Sequence, residues 1–162
     1  MTKALIVALL APLVAAIGIS ANRPAISKVP GERGPLATAQ ALFDAMAARD
    51  TEAAKHLVLP GTVFLGTQRT PEGPRVQRLA FQDWLLLMDS MEVDVLEAFE
   101  GEPSVHVSGD IAMVWGAYRL ELGGELQHTG IDALTLLRTQ TESGETWRIA
   151  GIAFTTIPAR DE

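Results

Sequence analysis

Residues 111–157 read IAMVWGAYRLELGGELQHTGIDALTLLRTQTESGETWRIAGIAFTTI. Three long β-rich runs alternate here with two tight glycine-containing turns, Gly123-Gly124 and Ser143-Gly144. Paired glycines between alternating runs signal a two-residue hairpin loop, because such loops need positive φ. The stretch therefore predicts an antiparallel meander of three strands, Ile111 to Leu122, Glu125 to Thr139 and Thr146 to Ile157, ended by Pro158.

The loops predict a register. If Leu122 faces Glu125, then Arg119 faces His128, Ala117 faces Gly130 and Trp115 faces Asp132. With Ser143-Gly144 as the second loop, Leu136 faces Gly151, Leu134 faces Ala153 and Asp132 faces Thr155. Because side chains alternate, these residues share one face. It is apolar, with a polar patch of Trp115, Arg119, His128, Asp132 and Thr155, and small residues leave room at its centre. Room plus convergent polar groups is what a ligand pocket requires. Val114, Gly116, Tyr118 and Leu120 fall on the opposite face. The assignment depends on register, and one bulge would exchange the faces.

Asp132 is the leading candidate, since a carboxyl in an apolar cavity titrates high enough to act as general acid or base. The structural alternative is a bond to a backbone group or to the Trp115 indole. His128 is the second acid–base candidate, against a rim histidine held by a hydrogen bond. About 13 Å of strand separates the two, so each needs a partner across the sheet. Arg119 suits an anionic ligand group, or else an ion pair with Glu121 or Asp132. Trp115 and Trp84 could stack on a flat ligand, and Thr155 completes the ligand-binding set. Trp147 reads as packing.

Upstream, Leu36 to Asp50 carries Leu42, Phe43 and Met46 at helical spacing. A short helix capped by Thr51 follows, then a strand at Thr62 to Gln68. TPEGP (70–74) reads as a turn-rich loop. A helix at Ala80 to Met88 has Phe81, Trp84, Leu85 and Met88 on one stripe. Glu92 to Glu100 is a strand, bent at 101–103 and continued at 104–107.

The N-terminus reads as an address. Lys3 precedes an apolar run from Ala4 to Ile17, and small residues follow at Gly18, Ser20 and Ala21. Fourteen apolar residues fall short of the roughly 20 that cross a bilayer core, which favours a signal peptide over an anchor. Residues 1–21 are thus expected to direct export to a periplasmic or secreted location, with an N-terminal membrane anchor as the alternative. Residues 22–35, rich in proline and glycine, read as a linker, and residues 36–158 as one domain.

Composition narrows the function. The 162 residues are 48% hydrophobic with a net charge of −7, or −8 once Lys3 is removed. An acidic chain without basic patches argues against nucleic acid. The absence of cysteine excludes thiolate chemistry, disulfides and lipid attachment at cysteine. Three histidines without HxxxH or HExxH spacing give no metal site, and no cofactor is expected.

The segments VWGAY (114–118), HTGID (128–132), TLLR (135–138) and WRIAGI (147–152), with the helix–helix–strand–helix order before them, resemble the NTF2-like superfamily, also called SnoaL-like or cystatin-like, over about residues 36–157. The resemblance is greatest to an uncharacterised lumazine-binding, DUF4440-like branch. It implies an α+β cone in which a strongly bent, mixed or antiparallel sheet packs on N-terminal helices around a deep cavity, often as a homodimer. The superfamily includes isomerases, dehydratases, hydrolases, cyclases and non-catalytic adaptors, and none of their catalytic sets is carried over. The expectation is an exported protein with a pocket for a small hydrophobic or aromatic ligand. The alternative is a cofactor-free lyase, isomerase or hydrolase using Asp132 and His128.

Overall fold

The computed structural model describes residues 33–159. The expected signal peptide and nearly all of the linker lie outside these residues. Three helices, α1 (Pro35–Ala48), α2 (Thr51–Leu57) and α3 (Phe81–Ser90), accompany six strands. The strands are β1 (Val63–Thr70), β2 (Gly73–Ala80), β3 (Val95–Ser108), β4 (Ile111–Leu122), β5 (Glu125–Thr141) and β6 (Gly144–Pro158). They form one sheet in the order β2-β1-β6-β5-β4-β3, antiparallel except where β1 runs parallel to β6.

Local chemistry explains the element ends. Pro35 occupies the first turn of α1, where its missing N–H costs nothing. Arg49 ends that helix in the left-handed region (φ 54°) and donates to the Met91 carbonyl at 3.0 Å and to Asp94 at 3.1 Å, tying the helix end to the start of β3. Asp50, rather than the expected Thr51, caps α2 by accepting from Ala53 N–H at 2.8 Å. Gly123 and Gly124 both have positive φ, as the tight β4–β5 loop demands.

The core lies between α1, α3 and the concave sheet face. Leu42, Val58, Val114, Leu134, Leu136 and Ile149 are at most 1% exposed. No helix among the described residues is long and apolar enough to cross a membrane.

β2 replaces part of the expected loop at 70–74 and the unassigned residues after it. GPRVQRLA has no apolar alternation because the strand is exposed on the sheet's edge.

The predicted register is corrected in two places. Leu122 does face Glu125, but Glu121 pairs with Leu126 and Leu120 with His128, so Gln127 is an extra residue in β5. Its carbonyl accepts from Ala159 N–H at 2.9 Å. From that bulge onward β4 moves by one place against β5: Tyr118 faces Gly130, Gly116 faces Asp132 and Trp115 faces Ala133. In the next hairpin the loop is Glu142-Ser143, with Gly144 paired to Thr141. An extra residue at Ala150 then sets Phe154, not Thr155, opposite Asp132. The faces exchange on β4 and on the end of β6, while Leu134, Leu136 and Ile149 keep their expected inward face.

Candidate active site

A cavity of about 270 Å³ opens between α1, α3 and the concave sheet face. Apolar side chains from every layer line it, among them Leu42, Met46, Trp84, Met88, Leu120 and Phe154. Four lining residues carry ionisable groups: Glu97, Tyr118, His128 and Asp132.

The bulges and kinks place them. Glu97 on β3 pairs with Leu120, which pairs with His128. Phe99 pairs with Tyr118, which pairs with Gly130, and Gly116 pairs with Asp132. β3 breaks register between Glu100 and Ser104, and Pro103 and Phe99 fold over Gly116 so closely that a Cβ there would lie 2.8 Å from Pro103 Cβ. Such irregularities bend a sheet. The bend brings the Glu97 and Asp132 side chains into hydrogen bonding.

Two carboxyl groups bond to each other only when one carries a proton. Asp132 is 2% exposed, and no N–H or hydroxyl among the described residues reaches its Oδ2. Burial, then the charge and hydrogen bond of Asp132, push the Glu97 carboxyl well above the usual carboxylate range. Burial raises Asp132 to about 6, and the bond from Glu97 works against that rise. At neutral pH Glu97 therefore keeps its proton and donates to an ionised Asp132, and the pair carries one negative charge.

A second unit adjoins the pair. The Tyr118 hydroxyl lies 3.1 Å from the Thr155 carbonyl and 3.2 Å from His128 Nδ1. The carbonyl can only accept, so the single hydroxyl proton goes to it, and His128 Nδ1–H donates to the Tyr118 oxygen. Burial lowers the His128 pKa, which keeps the ring neutral with Nε2 unprotonated. Burial, with the charges of Asp132 and Glu97, raises the Tyr118 hydroxyl far above its ordinary value, so it stays protonated.

Gly130 makes this unit possible. A Cβ at residue 130 would stand 1.8 Å from the Thr155 carbonyl oxygen and 2.9 Å from the Tyr118 ring. No side chain fits there.

Of the residues singled out in the sequence, Asp132, His128 and Trp84 line the cavity together. Trp115, Arg119 and Thr155 do not. Trp115 is 48% exposed on the outer face, and Arg119 pairs there with Glu121. Thr155 points its Oγ1 at Ile131 N–H, 2.9 Å away, and contributes only its carbonyl to the site. The Gln127 and Ala150 bulges are the reason for all three. Reading by faces also left out Glu97 and put Tyr118 on the wrong side. Glu97 had a signal, an acid in step with Val95 and Phe99 on an otherwise apolar strand face. Tyr118 had none without the bulge.

No protein-family profile and no curated protein sequence matches the chain. Solved structures do. A protein of the nuclear transport factor 2 (NTF2-like) superfamily from Salmonella enterica serovar Typhimurium LT2 aligns at a TM-score of 0.55 and 18% identity, over 77% of this chain and 89% of its own. A protein of unknown function with a cystatin-like fold, from Nostoc punctiforme, aligns at 0.55 and 8% identity, over 79% and 96%.

The chain has the NTF2-like, or cystatin-like, fold.

A Streptomyces avermitilis protein provisionally named a dehydratase of the NTF2-like family aligns at 0.50 and 18% identity, over 75% of this chain and 92% of its own. Identities this low speak for the NTF2-like fold alone, and a shared fold leaves function to the site. Among the described residues no three His, Cys, Asp or Glu side chains gather as a metal site would need.

Proposed function

We propose that this is an exported protein whose cavity takes up a small, largely apolar molecule and carries out cofactor-free acid–base chemistry on it, in the lyase, isomerase or hydrolase class. The observation that carries this reading is Asp132: a buried carboxylate on the wall of an apolar cavity, with Oδ2 unpartnered except for a neighbouring carboxyl. Buried carboxylates in structural roles normally have their lone pairs filled. One that is not, with a pKa near neutrality, is suited to take a proton from a ligand.

The proton balance is simple. Asp132 accepts a proton from a ligand carbon, which leaves both carboxyls of the pair protonated. Returning one proton to another atom of the ligand relocates it and is an isomerisation. Giving it to a departing hydroxyl releases water and is an elimination. Either route restores the singly protonated pair. His128 Nε2 is a second acceptor on the same wall.

The apolar segment at residues 4–17 supports export, with an N-terminal anchor as the alternative. Pairing of two copies is supported by Ile111, Met113 and Trp115, each at least 38% exposed along the outer face of β4. The test of the chemistry uses small alicyclic alcohols and ketones in D₂O, followed by NMR for deuterium uptake or loss of water. Wild-type protein should turn over a bound member of the panel, and Asp132→Asn should be slower by about 10²-fold or more with its fold intact. A ligand that binds wild-type protein without exchange or elimination would leave a carrier in place of an enzyme.

A further inference from the structure

The concave face continues past the cavity to the edge of the sheet. Asp132 on β5 faces Phe154 on β6, Phe154 faces Gly66 on β1, and Gly66 faces Gln77 on β2. Paired residues point to one side of a sheet, and alternation adds Arg75 and Leu79 to the side of Gln77. Leu79 lines the cavity. The next row runs from Thr156 through Gln68 to Arg75. Thr156 hydrogen-bonds to the Tyr118 hydroxyl on the cavity wall. Gly66 lets the wall extend outward, because the Phe154 ring lies across it, where a Cβ would stand 2.7 Å away.

Arg75 stands at the end of that surface, exposed and, among the described residues, without an ion pair or hydrogen bond. The arginines elsewhere are engaged: Arg49 and Arg119 pair with acids, and Arg148 donates to the Lys55 and Val58 carbonyls. Residues 63–80 hold three arginines against one acid, Glu72, in a chain of net charge −7. Charged side chains on an edge strand keep other strands from adding to it. Arg69 and Arg78, which alternate onto the outer face, serve that role without Arg75.

We infer that Arg75 holds the carboxylate of an amphiphilic ligand whose apolar body fills the cavity. This rests on the pocket reading above and gives it a ligand class. A guanidinium presents a planar fork that matches a carboxylate with two parallel hydrogen bonds. The negative charge shared by Glu97 and Asp132 lies at the inner end of the same face and repels an anion there. The ligand therefore binds in one direction, apolar end inward and carboxylate toward β2. Gln77 lies three strand spacings from Asp132, about 14 Å, so the ligand is elongated.

The probes share one chain: decanoate, 1-decanol and decylammonium, titrated into the full-length protein at pH 7.5 by calorimetry. Decanoate should bind about tenfold tighter than decanol at low salt, a difference of about 1.4 kcal/mol. The advantage should shrink as salt screens the exposed arginine. Arg75→Gln should remove it and leave decanol affinity within about twofold, and Arg75→Lys should keep part of it, since the charge stays and the fork is lost. Arg78→Gln, on the same strand with its side chain on the other face, should leave decanoate affinity within about twofold of wild type. Equal binding of decanoate and decanol by wild-type protein would overturn the carboxylate site while leaving the pocket standing. Tighter binding of decylammonium would overturn the sign of the ligand's charge. An equal loss in Arg78→Gln and Arg75→Gln would show a diffuse field of the basic strands and overturn the assignment to Arg75. Failure of all three probes to bind would overturn the pocket reading and this inference with it.

Discussion

The carboxyl groups of Glu97 and Asp132 are hydrogen-bonded to each other inside an apolar cavity, although β4 runs between their strands. The ionised member, Asp132, has a pKa raised to about 6 by burial.

That relationship predicts how stability depends on pH. A folded-state pKa above the unfolded value means that the folded chain binds the proton more tightly. The contribution is most favourable below the unfolded pKa near 3.8 and is lost as pH rises to about 6 and beyond. Asp132→Asn removes it. Urea unfolding at pH 4 and pH 8 should show wild-type protein losing on the order of 2 kcal/mol more than the variant over that interval. Parallel losses would show that Asp132 titrates as an ordinary carboxyl.

Two glycines on the meander should respond in opposite ways to alanine. At Gly130 the Thr155 carbonyl already occupies the Cβ position, and backbone cannot move aside without pulling β6 from β5. Gly130→Ala should cost about 3 kcal/mol or prevent folding. At Gly151 nothing lies within 4 Å of a new Cβ and φ is not in the left-handed region, so Gly151→Ala should stay within about 0.5 kcal/mol of wild type. Denaturant midpoints compare the two directly.

Tyr118→Phe keeps the ring and deletes the bridging hydroxyl. The Thr155 carbonyl and His128 Nδ1 each lose their partner, which should cost about 1–3 kcal/mol. His128 should also lose its single tautomer, visible as averaged ¹⁵N shifts of the imidazole. In wild-type protein the His128 titration should fall below the ordinary histidine value, because burial disfavours the charged ring.

Outer-face substitutions test the corrected register. Trp115→Ala and Arg119→Ala should change affinity for any cavity ligand by less than about twofold, since neither side chain lines the cavity. If Trp115→Ala had a larger effect, the faces predicted from the turns alone would be right.

Much of this was legible in the residues. The ends of β4, the Gly123-Gly124 loop and the apolar stripe of α3 follow from periodicity and turn chemistry, which are local. Asp132 and His128 stood out as polar residues in an apolar strand, and the cavity holds both. β2 was missed because an exposed edge strand has no buried face to impose alternation.

What the chain by itself determined was the set of elements and the chemistry available to them. Hairpin loops and apolar period act over a few residues, and each residue's side-chain chemistry is its own. Which residues meet was decided only by the tertiary structure. The extra residues at Gln127 and Ala150 carry no compositional mark, yet each exchanges the faces of the strand beyond it. The pairing of Glu97 with Asp132 depends on the bend of a whole sheet. A bulge costs little locally and is chosen by the packing it permits, so it becomes visible only once the helices have closed over the sheet.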